Sequence, residues 1–348
     1  METLPPQLSS YRPSGAAPVA GVVMTLIAGI AAGVVMGAVY AFINHHNPII
    51  YLNILLVFGF GWALGLVVAK GVSVFHIRNR VVAAVAGVII FGVAYVAHWC
   101  VYIPTVLIDF DRNTSSFDVR LILETAVMFA RYPMYILEWI LRINESGVWS
   151  VTMPGSRTGG IEVSGLVLAL VWLAEAVIIG YFAVKMPWEQ AGEPYSERRQ
   201  KWLTAKVLAA PIAFIENVEE FLNKLARGDY SALATPLAAI TKKETEENEK
   251  NEESEEVTSA QYASVTLYPD SFEPYVSVQN ISTSAQKGEQ VKPAGGFIKK
   301  IGQKIKGWFI GGSEEDSVSV SDVVRYLKIS PTVAQNISNA LGVEKSPA

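Results

Sequence analysis

Charge is what this chain has least of. Only 17% of its 348 residues are Asp, Glu, Lys or Arg, against roughly 25% in soluble domains. Between Arg12 and Lys70 there is none over 57 consecutive positions. A purely cytosolic or secreted globular protein is thereby excluded, because apolar runs well beyond about 18 residues read as membrane-spanning. Cysteine is nearly absent too. Cys100 stands alone, which excludes an intrachain disulfide or a Cys-based zinc site built by one chain. No Ser-His-Asp order, glycine-rich phosphate loop or His-Glu-x-x-His motif is found, so no catalytic residue, metal site or cofactor is expected.

What is present is four apolar runs, at about 18–43, 49–69, 81–108 and 163–184. Each is long enough for the roughly 20 helical residues that cross a hydrocarbon core. The first is too long for a signal-peptide core and its leader carries only Arg12, so it reads as a retained helix. Lys70, Arg78 and Arg80 lie between the second and third runs, and Lys185, Arg198, Arg199 and Lys201 follow the fourth. The turn after the first run has no Lys or Arg. The positive-inside rule then puts both termini in the cytoplasm, in an inner (plasma) membrane.

Gly29, Gly33 and Gly37 share one face of the first run, and Gly61 and Gly65 repeat the spacing in the second. Small residues four apart let helix backbones approach closely in lipid. A tight hairpin of the first two spans fits the pattern, and so does a homodimer seam.

The segment 116–144 reads as one amphipathic helix, kinked near Pro133. Arg120, Glu124, Arg131, Glu138 and Arg142 fall in a stripe about 40° wide; nearly everything else is apolar. A helix of that kind suits the outer membrane interface or a place across the bundle.

Three polar residues stand inside the apolar runs: Glu175 near the centre of the fourth, His98 in the third and Asn53 in the second. A carboxyl at that depth costs a few kcal/mol unless neutral, paired or wet, so Glu175 is either helix-to-helix glue or part of an ion or proton pathway. Counting rise per residue separates Glu175 from His98 by about 8 Å in depth. Asn53 and Tyr95 are the other candidate partners. His45 and His46 with His98 make a poor metal set, since adjacent helical residues point about 100° apart.

Beyond the fourth span, 196–227 reads as helical, broken at Pro211. An acidic linker follows at 241–258, with eight Glu against three Lys. Two short strands are expected at 262–268 and 275–281. The run 297–310 is a basic amphipathic helix in pattern: Lys299, Lys300, Lys304 and Lys306 surround an apolar face that includes Trp308. It suits either an anionic inner leaflet or the core of a small domain. Segments 321–327 and 331–341 outline a helix-turn-helix, but the second has no Lys or Arg for phosphates, so no nucleic acid is expected.

The N-terminal half resembles a group of uncharacterised bacterial four-span membrane proteins. Ile143-Asn144-Glu145-Ser146-Gly147-Val148-Trp149, Trp172-Leu173-Ala174-Glu175-Ala176 and Pro194-Tyr195-Ser196-Glu197-Arg198-Arg199-Gln200-Lys201-Trp202 carry the likeness. Members carry a Cys-x-x-Cys pair where this chain has Ser196 and Arg199, so any metal or redox role of that pair does not transfer. The resemblance implies a bacterial membrane protein with a cytoplasmic tail and supplies no activity.

The sequence therefore predicts an α-helical membrane protein with four transmembrane helices, an interfacial amphipathic helix and a small cytoplasmic α+β module. Its parts are an N-terminal tail (1–16), a transmembrane domain (17–186), a helical region (187–240), the linker (241–258) and the module (259–348). Expected partners are the bilayer, anionic lipid at the module, an unknown protein, and a second copy of the chain. A non-enzymatic scaffold or assembly factor fits best, with a small oligomeric channel or transporter using Glu175 as the alternative.

Overall fold

The computed structural model describes residues 8–47, 50–110, 119–147, 149–151, 161–237, 259–284 and 317–342. The acidic linker 241–258 and the basic run 297–310, with Lys299, Lys300, Lys304, Lys306 and Trp308, lie outside them. The chain divides into two compact units. One is residues 13–193; the other joins residues 1–12 to everything from 194 onward.

The first unit is built on four helices long and apolar enough to cross a membrane: α1 (Val19–His46), α2 (Ile50–Val74), α3 (Arg80–Phe110) and, after the intervening elements, α6 (Gly165–Gln190). They form a ring in which α1 lies along α3, α3 along α6, α6 along α2, and α2 back along α1. Gly29, Gly33, Gly37, Ala94 and Ala183 are buried beside Leu64, Ile90 and Ile179, while further large residues such as Ile27, Val35, Leu55, Val85, Leu170 and Val177 are exposed on the outside. An apolar exterior is expected where lipid is the solvent and tight packing holds helices together.

The glycine faces meet different partners from those the sequence suggested. Gly29 and Gly33 of α1 face Ile90 and Ala94 of α3, and a Cβ on Gly37 would collide with the Ala94 carbonyl. On α2, a Cβ at Gly61 would stand 2.9 Å from Ile179 Cα, and one at Gly65 would stand 2.6 Å from the Phe182 carbonyl of α6. α1 and α2 are neighbours, with Gly71 of α2 close against Thr25 of α1, but the glycines singled out from sequence turn to the third and fourth helices. The face proposed as a dimer seam is filled within the chain. Gly87 of α3, against the Ala183 carbonyl of α6, adds a third close approach.

The expected helix over 116–144 is two helices, α4 (Val119–Arg131) and α5 (Pro133–Ser146), with Pro133 at the start of the second. Proline lacks the N–H that would continue α4 and is well placed in a first turn, so it ends one helix and begins another. Phe129, Ile136 and Ile143, seven residues apart, are buried in one cluster with Trp99, Tyr102, Ile103 and Val106 of α3, and Ile122, seven residues before Phe129, is buried as well. The charged stripe forms exposed ion pairs, Arg120–Glu124 at 2.8 Å and Arg142–Glu138 at 2.5 Å. Between stripe and core, Leu121, Leu123, Val127, Met134, Leu137 and Leu141 are exposed. A short antiparallel pair, β1 (Trp149–Val151) and β2 (Ile161–Val163), leads into α6.

The second unit is a sheet with helices on one face. β3 (Tyr195–Ser196) pairs with β4 (Lys201–Trp202), and β5 (Lys206–Val207), β6 (Ser259–Tyr268), β7 (Tyr275–Ser284) and β8 (Ser317–Lys328) form a four-stranded antiparallel sheet in that order. α7 (Val218–Ala226), α8 (Ser231–Ala234) and α9 (Pro331–Leu341) complete it. Phe221, Leu225, Leu233, Ile337 and Leu341 bury against Ala263, Val265, Val276, Val278 and Leu327 of the sheet.

Two expectations fail here. The helical region at 196–227 holds a helix only from Val218; its first half is short strands and extended chain. Pro211 interrupts it, and Leu208 and Ile212 bond to β6 through the Val265 and Ala263 carbonyls. Segment 321–327 is strand, not helix. Its Val-Ser-Val-Ser lead-in alternates with period two, and β7 supplies a paired edge for it. The helix-turn-helix outline disappears with it. The strands expected at 262–268 and 275–281 are present and longer, closing the hairpin at Tyr268 and Tyr275.

Residues 8–12, expected as a tail, run against the last strand of this sheet. Ser10 bridges Leu327, and Lys328 donates its N–H to the Ser9 carbonyl at 2.8 Å. Tyr11 joins Leu203, Tyr268, Tyr275 and Tyr326 in an aromatic cluster on the sheet face opposite the helices.

Candidate functional site

Inside the first unit, all four long helices converge on one aromatic and polar cluster. α3 places Tyr95, His98, Trp99 and Tyr102 on successive turns, and α1 contributes Tyr40, α2 Phe60, α6 Trp172 and Glu175. Residues three and four apart share a helix face, so the α3 set forms a continuous ridge.

His98 is the hub, 2% exposed. Its ring lies 4.9 Å from Tyr40, 5.4 Å from both Trp99 and Tyr102, and 5.9 Å from Tyr95, centroid to centroid. Tyr40 stacks on Phe60 at 4.6 Å, and Trp99 meets Trp172 edge-on at 5.0 Å. Between the neighbouring helices α3 and α6, the Tyr95 hydroxyl donates to the Trp172 carbonyl at 3.3 Å.

The polar atoms are incompletely satisfied. His98 Nδ1 and the Tyr40 hydroxyl are both buried, and among the described residues neither has a hydrogen-bond partner. A buried polar atom left without one costs about 1–3 kcal/mol, so each such atom in a packed interior asks for a reason. Glu175 lies within electrostatic range of the Tyr40, Tyr95 and Tyr102 hydroxyls. No described residue pairs with its carboxyl as a cation.

Of the residues singled out from sequence, His98 and Glu175 share three tyrosines: Tyr40, Tyr95 and Tyr102 pack around the His98 ring and lie within electrostatic range of Glu175. Asn53 does not: its Oδ1 accepts from Asn47 Nδ2 at 2.5 Å, closing the polar end of α1 and α2. His45 meets Tyr102 edge-on at 6.1 Å, so a tyrosine ring stands between it and His98. His46 Nδ1 binds the Phe42 carbonyl of its own helix at 2.9 Å. Tyr40, Tyr102, Trp99 and Trp172 were missed. The available signal was the i, i+3, i+4, i+7 spacing of Tyr95, His98, Trp99 and Tyr102, which a count of ionisable groups passes over.

Chemically the cluster offers phenols, one imidazole and one carboxyl in an apolar shell. These groups can donate and accept hydrogen bonds and exchange protons; among the described residues no three His, Cys, Asp or Glu side chains converge as a cation's ligand set. No protein-family model matches the chain, and no curated protein or solved structure matches it either.

Proposed function

We propose that this chain is a non-enzymatic, multi-pass membrane scaffold or assembly factor. The observation that carries the reading is the composition of the second unit: residues 8–12, ahead of the first long helix, and the chain from Pro194, after the last, fold around one core. A module tied at both ends of a four-helix anchor suits presentation of a surface to a partner. The glycine-to-backbone packing of α1 on α3 and of α2 on α6 supports an anchor more than a conduit. A bacterial inner membrane, with both termini in the cytoplasm, is the setting that the Lys and Arg distribution and the short motifs favour. The exposed apolar face of α4 and α5, edged by ion pairs, supports their lying in the outer interface.

The second reading is a small oligomeric channel or transporter using Glu175, and the unpartnered Tyr40 hydroxyl within its electrostatic range, with the unpartnered His98 Nδ1 in the same aromatic cluster, favours that alternative. Reconstitution in proteoliposomes across a pH gradient separates the two. A scaffold gives no proton flux with wild type or with Glu175→Gln; flux in wild type that vanishes in Glu175→Gln would replace the scaffold by the transporter. Correct insertion is verified by labelling Ser321→Cys with a membrane-impermeant maleimide, expected only from the cytoplasmic side; the native Cys100 is buried.

A further inference from the structure

In the second unit, the sheet ends at the β6–β7 turn in a clamped tip. Pro269 and Pro274 bracket the turn and restrict its backbone. The Pro274 carbonyl accepts from the Ile329 N–H at 3.1 Å. Between the prolines, the Asp270 side chain is 2% exposed and pairs with Arg199 Nε of the β3–β4 hairpin at 3.2 Å. The same guanidinium donates to Ser271 Oγ. One arginine thus fastens the β3–β4 hairpin to the turn.

What the clamp holds out is Phe272. Its ring is 52% exposed, and the Arg198 guanidinium lies over it, 4.7 Å from the centroid. A single exposed aromatic is ordinary on a protein surface. One fixed at the tip of a braced hairpin beneath an arginine has a more specific pattern. The ring can enter an apolar phase while the cation stays in the polar layer above it.

The charge at the tip has one dominant sign, in a chain whose net charge is -4. Both acids of the turn are spent within the protein, Asp270 on Arg199 and Glu273 on Lys328 at 2.8 Å. The β3–β4 hairpin adds Arg198 and Lys201, both exposed.

Chain connectivity points to the same end of the sheet. Tyr11 packs on Tyr275 at 5.3 Å and lies eight residues before α1; Tyr195, where β3 starts, lies five residues after α6. Extended chain of those lengths spans at most about 28 and 18 Å. The β6–β7 ladder runs away from the turn for ten residue pairs, about 30 Å. The Phe272 end is therefore the end that both chain crossings tether.

We infer that the tip formed by Phe272, Arg198 and Lys201 docks on an anionic phospholipid surface. Basic residues at such a surface gain from its negative potential, and an aromatic ring suits the interface below it. The inference rests on the reading that the four helices span a bilayer.

The test uses the full-length protein in nanodiscs of phosphatidylcholine, with or without phosphatidylglycerol. Phe272→Cys carries an environment-sensitive fluorophore, with Ser321→Cys as the control further along the sheet; the native Cys100 is buried. With phosphatidylglycerol present, the label at 272 emits to the blue and is quenched by spin-labelled lipid, and the label at 321 is not. Adding Arg198→Gln and Lys201→Gln returns the label at 272 to aqueous emission. Hydrogen exchange reads the wild type with Phe272 in place. Amides 271–273 exchange at least about 5-fold more slowly with phosphatidylglycerol than without, the ratio that corresponds to about 1 kcal/mol.

Aqueous emission at 272 in both discs, with equal exchange in wild type, overturns the docking. Blue emission without lipid quenching puts protein over the tip and overturns the lipid partner. Quenching that ignores both phosphatidylglycerol and the two glutamines overturns the anionic surface. Resistance to alkaline carbonate extraction is the separate check on the spanning reading. Protein released by carbonate refutes the spans, whereas protein retained with an aqueous tip refutes only the docking.

Discussion

The backbone N–H of Tyr11 donates to the carbonyl of Tyr326 at 2.8 Å, and the two tyrosine rings sit edge to face 6.4 Å apart. One residue precedes the first long helix and the other lies in the last strand. The contact, with the isolated bridge from Ser10 to Leu327, ties the segment 8–12 to the end of β8 in the second unit. It also occurs at a strained point, for Tyr326 has φ +53°, a conformation that bulky residues rarely adopt. Such a residue costs on the order of 1–3 kcal/mol and persists only where its surroundings over-determine it. Here the Tyr326 N–H donates to Ser277 Oγ at 2.9 Å, its carbonyl accepts from Tyr11, and its ring packs on Tyr268 at 5.1 Å.

Deleting residues 1–12 should therefore expose the end of β8. The Lys328 amide, bonded to the Ser9 carbonyl, is expected to lose its protection in hydrogen exchange on the full protein in detergent. The Leu267 and Val276 amides, inside the sheet, should keep theirs. Unchanged protection at Lys328 would mean the N-terminal segment is not held in solution.

Ser277→Ala removes the acceptor for the buried Tyr326 N–H. A loss of about 1–3 kcal/mol in unfolding of the second unit is expected, the usual penalty for stranding a buried donor. Chemical denaturation followed by exchange protection of β7 and β8 measures it.

Glycines of the bundle should divide by what faces them. Gly37→Leu puts a side chain into the Ala94 carbonyl and is expected to cost at least about 1–3 kcal/mol, lowering the thermal midpoint in detergent. Gly59→Leu and Gly92→Leu, at positions with nothing within 4 Å, should leave the midpoint unchanged or raise it. Equal effects at all three would contradict the close approach of α1 and α3.

Burial, with the Glu273 carboxylate second, pushes the Tyr275 hydroxyl up to about 12 from an ordinary 10. The folded state thus favours the neutral phenol. Its contribution to stability is complete below pH 10 and is lost as pH rises from 10 to about 12, the unfolded chain releasing the proton first. Tyrosinate absorbance should show this late titration in wild type. In Tyr275→Phe that component should be missing, and the decline in stability over the same interval should be shallower.

How far the sequence reached depends on the scale of its signals. Four spans were legible because runs of about 20 apolar residues have no other home. The hairpin of β6 and β7 was legible from alternation around the Pro269-Asp270 turn. The break at Pro133 was visible as a kink but not as two helices, since only packing on α3 shows that Ile122 and Phe129 on one side, and Ile136 and Ile143 on the other, share a single buried line. β8 was misread because a short stretch of valines fits both helix and strand until a partner edge is known.

The sequence by itself determined that the chain carries four membrane-length helices, that their small faces would pack tightly, and that Glu175 and His98 are costly groups placed at depth. These are local properties, set by composition and by periods of two to four residues. Tertiary structure alone decided which helix each glycine face meets, that Tyr40, Tyr95 and Tyr102 gather around His98 within range of Glu175, and that residues 8–12 run against the last strand at Leu327. Those contacts join positions far apart in the chain. They are fixed by the packing of one whole element on another, which no short window of sequence contains.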